Sequence, residues 1–298
     1  MAQIDLSGVF VPTATPFGTD GELDLQANSA NLRRWADQGV AGVVIGGSTG
    51  EALFLDEAER RAVWQASADE VGDRLTVVAG TGTESTRNTI AFCRTAAAAG
   101  AHAVLVQPPA FFKGAMTHEA LATHYTAVAD ASPVPVIVYQ VPLRMSTLDL
   151  STELVAELSQ HENIVGIKDS RGQIATVEAL VAAVQPGFQI MVGSGALWLE
   201  ALQKGAVGAI LGLANFAPEG CVAIHRAWQA GDLAAAEAEQ ARMAPLHNQI
   251  VGVMGVAGVK AALDLIGMHG GAPRPPLHPL AAERREAVRA LLAEAGLV

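Results

Sequence analysis

Short apolar runs recur along the chain about every 30 residues: GVFVPTATPF from Gly8, GVVIGG from Gly42, LTVVAGTG from Leu75 and AVLVQPP from Ala103. They continue as VPVIVYQV from Val134, IVGIKDS from Ile164, QIMVGSG from Gln189 and AVGAILGLAN from Ala206. These runs are apolar almost throughout instead of alternating with polar positions, which predicts strands buried on both faces. Between them lie segments of helical periodicity with helix punctuation, such as STRNTIAFCRTAAAAG, where Ser85 is placed to cap the start and Gly100 to end it. Strands alternating with helices imply a parallel sheet. Eight of them fit a closed (β/α)8 TIM barrel better than an open doubly wound sheet.

The barrel is expected over residues 1–216. Residues 217–298 then read as a C-terminal helical extension: APEGCVAIHRAWQAG, DLAAAEAEQARMAPLHNQI, GVAGVKAALDLIGM, a Pro-rich connector GGAPRPPLHPL, and a final amphipathic helix from about Ala281. No Ser/Gly linker separates the two parts, so the extension is expected to pack on the barrel and not to form an independent domain.

Composition narrows the class. Half of the 298 residues are hydrophobic, 16% are charged and 30 are glycine, the profile of a compact α/β enzyme. A formal charge of −11, with no cluster of Lys and Arg to reverse it locally, argues against nucleic acid or an anionic membrane as partner and for a small molecule. Cys93 and Cys221 form no CxxC and read as core thiols in a reducing compartment. MAQIDLSG lacks the basic and apolar regions of an export signal, and GAVGAILGLANFA is too short to span a membrane, so a cytoplasmic protein is expected. The eight histidines show no HExxH or HxH spacing, so no metal is expected.

Chemistry in such a barrel sits at the C-terminal ends of the strands. Strand six ends in Lys168, one of only four lysines; Lys113, Lys204 and Lys260 fall in a loop and in helices. Burial at the mouth of an apolar barrel favours the neutral amine, the form that attacks a carbonyl to make a Schiff base. The alternative is an ion pair with Asp169. Tyr139 ends strand five, within reach of a substrate bonded to Lys168, and suits a proton shuttle; the other tyrosine, Tyr125, lies in a helical segment. GGSTGE, residues 46 to 51, lacks the signature of a phosphate loop but offers backbone N–H groups around Gly47 and Gly50 for a small carboxylate, with Ser48 or Thr49 able to bond the tyrosine. Strands three, seven and eight end in small residues, Gly195 among those after strand seven, which leaves room above the barrel.

Together these stretches resemble the pyruvate-dependent class I aldolases and lyases that include dihydrodipicolinate synthase and N-acetylneuraminate lyase. The family's GxTGE loop is matched by Gly47-Ser48-Thr49-Gly50-Glu51, its Y-x-V-P by Tyr139-Gln140-Val141-Pro142 and its GIK strand by Gly166-Ile167-Lys168, in order along the chain. Within it, HYTAVADASPVPV, LSQHENIVGIKDS and the C-terminal GVAGVKAALDLIGMHGGAPRPPL are most similar to the 4-hydroxy-2-oxoglutarate aldolases, a likeness that includes Ser170. The resemblance implies that Lys168 forms the imine, Tyr139 shuttles protons, Ser48 and Thr49 hold the pyruvate carboxylate, and Ile210 lines the keto-acid pocket. It implies no cofactor beyond that imine, and a homotetramer.

Two positions bear on which member this is. The family's aromatic pair after strand four supplies a tyrosine to a neighbouring subunit's proton relay, whereas PPAFFKG carries Phe111 and Phe112. Arg144 matches the arginine with which the synthases hold their second substrate's carboxylate, while Ala52, Leu53 and Glu84 do not match a lysine feedback site. The expected reaction is cleavage of a 2-oxo acid to pyruvate and an aldehyde, or its reverse. The alternatives are dihydrodipicolinate synthase, a sugar-acid dehydratase or aldolase, and a keto-acid-binding protein without turnover.

Overall fold

In the computed structural model, which describes residues 4–298, eight parallel strands close into a barrel in chain order. They are β1 (Gly8–Pro12), β2 (Gly42–Ile45), β3 (Thr76–Gly80), β4 (Ala103–Val106), β5 (Val136–Gln140), β6 (Ile164–Asp169), β7 (Gln189–Val192) and β8 (Gly208–Ile210), with β8 pairing back onto β1. All eight predicted runs therefore form strands. The first three residues of the N-terminal stretch read above lie outside the described residues.

Strand side chains alternate between two apolar layers, as the two-residue period requires. Phe10, Val44, Val78, Leu105, Ile137, Met191 and Ile210 fill the barrel interior. Their neighbours Val11, Val43, Val77, Val104, Val138 and Ile190 pack outward against the helices. The helical layer comprises α1 (Leu25–Asp37), α2 (Glu57–Val71), α3 (Thr86–Ala98), α4 (His118–Ala131), α5 (Thr152–Leu158), α6 (Ile174–Ala183), α7 (Trp198–Gln203) and α8 (Pro218–Gln229). Ser85 caps α3 by accepting from the Asn88 N–H, and Gly100 follows its end with a positive φ. Cys93 and Cys221 are buried free thiols, and burial pushes Cys93 up to about 11.

Helix α8 packs on β1 and α7, so the chain beyond residue 216 opens with the helix that closes the eighth β/α unit. It continues as α9 (Leu233–Leu246), a wider π-helical segment (His247–Val253), α10 (Gly255–Leu265) and α11 (Ala282–Glu294). Helix α11 buries Val288 and Leu292 and packs on α10. No described helix is long and apolar enough to cross a membrane.

Candidate active site

The pleat of β6 separates two neighbouring charges. Ile167 belongs to the outer layer and Asp169 follows the same face, while Lys168 points into the barrel mouth. Asp169 is held by Arg171, at 2.6 Å from Nη2 and 3.0 Å from Nε, and accepts from the Thr176 hydroxyl. The ion pair considered for Lys168 is thus taken by Arg171. Lys168 is 6% exposed and makes no ion pair with any described residue. Its ammonium instead lies 4.2 Å from the centre of the Tyr139 ring, because Tyr139 and Lys168 are partners in the β5–β6 register. A buried amine without a carboxylate partner is the arrangement a nucleophile needs.

The Tyr139 hydroxyl lies 3.5 Å from Ser48 Oγ, the long end of a hydrogen bond. Of the two hydroxyl residues weighed for this contact, Ser48 is the one that makes it. The Gly-rich loop does not run straight into a helix: a single tight turn spans Ala52–Phe54, and α2 begins at Glu57 behind an Asp56–Glu59 capping box. The N–H groups of Glu51 and Ala52 close the loop's own turns onto Ser48 and Gly47.

Glu51 is where sequence reasoning saw no function. Its backbone is left-handed, at φ 56°, and its carboxylate is buried. Oε1 faces Lys260 Nζ of α10 at 2.6 Å, and Oε2 accepts from the Arg274 N–H at 2.7 Å. Lys260 also donates to Ala272 O at 2.9 Å and lies over the Phe17 ring, against which Arg274 also packs. Burial lowers the Lys260 ammonium from its usual range, and Glu51 opposes that shift. The loop carrying Ser48 and Thr49 is therefore tied to the C-terminal extension.

These groups open on a cavity of about 130 Å³ that brings together Ser48, Thr49, Tyr139, Lys168, Ser170, Ile210 and Arg144. Arg144 is exposed and forms no ion pair with any described residue. Ser170 sits close to the end of β7: a Cβ on Gly193 would lie 2.0 Å from Ser170 Oγ, so only glycine fits there. The remaining predicted glycines do not line the cavity. Gly47 borders a smaller void that Tyr139 also lines, Gly50 accepts at its carbonyl from Thr15 Oγ1, and the Gly195 N–H is bonded to His247 Nδ1 at 3.2 Å. His247 and Ser194 line the cavity and were not foreseen. Burial, with the nearby Arg144 guanidinium, pushes the His247 imidazole down to about 4.

A second phenol is missing from the site. Tyr125 is buried in the helical layer, where its hydroxyl donates to Val106 O at 3.2 Å and burial raises it well above the usual phenol range. Phe111 and Phe112 are 81% and 70% exposed and meet edge to face. Glu84 orients them by accepting from the Ala110 and Phe111 N–H groups, both at 2.9 Å.

A family described as the dihydrodipicolinate synthetase family matches residues 5–295 of the chain. The chain is 38% identical over 291 residues to the probable mitochondrial 4-hydroxy-2-oxoglutarate aldolase of Emericella nidulans, covering 96% of this chain and 94% of the relative. It is 39% identical over 292 residues to the 4-hydroxy-tetrahydrodipicolinate synthase of Xanthomonas axonopodis pv. citri, covering 98% and 95%. Among solved structures, it is similar to YagE of E. coli K12, a prophage protein of the dihydrodipicolinic acid synthase family in complex with pyruvate. That likeness has a TM-score of 0.93 at 30% identity and covers 98% of this chain and 99% of the other. The dihydrodipicolinate synthase of Acinetobacter baumannii complexed with pyruvate gives a TM-score of 0.93 at 32% identity, covering 99% and 100%.

Proposed function

We propose, since this chain belongs to the dihydrodipicolinate synthetase family, that Lys168 is its imine-forming residue and that it cleaves a 4-hydroxy-2-oxo acid to pyruvate and an aldehyde. The chain is a pyruvate-dependent class I lyase, of a family that forms its substrate imine on a lysine and takes no cofactor. The observation that carries the assignment to Lys168 is its buried, carboxylate-free ammonium beside Tyr139 at the floor of the cavity.

In this reading the neutral Lys168 amine attacks the ketone carbon and water leaves, giving an iminium that serves as an electron sink. Tyr139 takes the proton from the C4 hydroxyl. The C3–C4 bond breaks, its electron pair passes into the enamine, and the aldehyde departs. Protonation at C3 and hydrolysis release pyruvate and regenerate the amine. Ser48 and Thr49 hold the keto acid's carboxylate. Ser48 also lies within reach of the Tyr139 hydroxyl, and with solvent it takes the relay step for which Phe111 and Phe112 have no hydroxyl.

Aldolase activity is favoured over the synthase by the likeness around Ser170 and by the mismatch at Ala52, Leu53 and Glu84. The synthase reading has one observation in its favour, the unpaired Arg144 guanidinium at the cavity rim. Incubation with pyruvate and borohydride followed by intact mass tests the imine: one reduced adduct is expected in the wild type and none in Lys168→Ala. An unmodified, folded wild-type protein would withdraw the assignment. Assays for cleavage of 4-hydroxy-2-oxoglutarate and for condensation of pyruvate with aspartate semialdehyde separate the two activities.

A further inference from the structure

Beyond Lys168 the cavity is chemically one-sided. Among the described residues its lining includes Arg144, Lys168 and Arg171 and no aspartate or glutamate, since Asp169 is turned outward onto Arg171. On the side formed by the β7 loop, Ser194 Oγ lies 3.4 Å from His247 Nε2. The other ring nitrogen, Nδ1, accepts from the Gly195 N–H at 3.2 Å, so the neutral ring carries its proton on Nε2 and donates it to Ser194. The Ser194 oxygen is thereby used as an acceptor, and its own proton is bonded to no described residue.

The π-helical segment that begins at His247 brings the ring to this loop, and Gln240 of α9 braces the same loop by donating to Gly195 O at 2.9 Å and accepting from the Leu199 N–H at 2.9 Å. Two side chains of the C-terminal extension thus clamp the barrel's rim from Ser194 to Leu199. This is a held geometry, as a recognition element requires.

We propose that His247 is a positioning residue that fixes Ser194 as a hydrogen-bond donor to the aldehyde half of the substrate, so that this half of the pocket selects an aldehyde terminating in oxygen acceptors and rejects one bearing an ammonium group. The inference rests on the Schiff-base reading above and adds its acceptor specificity. An ammonium placed here meets hydroxyl donors and the Arg144 guanidinium with no carboxylate to pair with, and a site whose polar groups are left unmatched discriminates strongly.

The test uses the full chain with pyruvate and two acceptors, glyoxylate and aspartate semialdehyde, together with Ser194→Ala, His247→Asn and His247→Gln. Asparagine reproduces the Nδ1 acceptor for Gly195 but not the donor to Ser194, whereas glutamine reproduces the donor. Wild type is expected to favour glyoxylate. Ser194→Ala and His247→Asn are expected to raise the KM for glyoxylate roughly tenfold, the loss of one hydrogen bond, with the KM for pyruvate and borohydride trapping retained. His247→Gln is expected to recover most of that loss, which a merely structural role for the ring does not predict. An unchanged glyoxylate KM in both variants with trapping intact overturns the proposal alone. A wild type that prefers aspartate semialdehyde overturns it together with the aldolase reading, and a wild type that traps no pyruvate removes the imine and the proposal with it.

Discussion

Tyr139 and Lys168 are neighbours because two parallel strands share one register, and each points inward because its position along the pleat is the same. Removing the phenol oxygen while keeping the ring leaves the ammonium its aromatic face but takes away the proposed proton shuttle. Tyr139→Phe is therefore expected to lower kcat by about 10²- to 10⁴-fold in a steady-state cleavage assay, while borohydride still traps pyruvate on Lys168. A second residue controls stability instead. His124 is buried beside Tyr125 with Nδ1 2.9 Å from Thr86 Oγ1, and burial pushes its imidazole down to about 4. Because the folded value lies below the unfolded value of about 6.5, the native state binds fewer protons: the stability this group contributes is complete above about pH 6.5 and is lost as pH falls through 4. The difference is worth about 3 kcal/mol, so urea denaturation at pH 7 and pH 4.5 should differ, and His124→Asn should flatten that dependence.

At the scale of elements, the loop bearing Ser48 and Thr49 depends on a contact with α10. The Glu51–Lys260 pair is fully enclosed, with Arg274 and Phe17 completing the cluster. Such a pair adds little over apolar residues of the same size, but deleting one member leaves an unpaired buried charge. Lys260→Met is expected to cost about 3–5 kcal/mol in a denaturant titration and to raise the KM for pyruvate, because the loop bearing Ser48 and Thr49 loses its anchor. The double variant Glu51→Gln/Lys260→Met should recover much of the stability. This dependence was not legible from the chain, where Lys260 reads as one helical lysine among others and the motif ends at Glu51.

For the whole molecule, the exposed Phe111 and Phe112 pair and the charge of −11 pull in opposite directions. Copies repel at long range, while two large apolar rings left in water favour a short-range contact. We expect a homotetramer with PPAFFKG at a subunit contact, its mass read by light scattering, and dissociation to smaller species in Phe111→Ser/Phe112→Ser. A monomeric wild type would remove that expectation.

The eight strands, the barrel they close and the placing of Lys168 and Tyr139 at adjacent strand ends were determined by the sequence itself. Each follows from local periodicity and from the order of apolar runs, which need no knowledge of distant contacts. Tertiary structure alone decided that Arg171 takes Asp169 away from Lys168, that Glu51 reaches Lys260, and that His247 meets Ser194 across the barrel rim. The last two are pairings between segments far apart in the chain, made by a left-handed loop residue and a π-helical segment, and the first follows from the outward turn of a strand residue onto an arginine two positions on. No periodic pattern in the residues encodes which of many charged and polar side chains such local distortions will bring into contact.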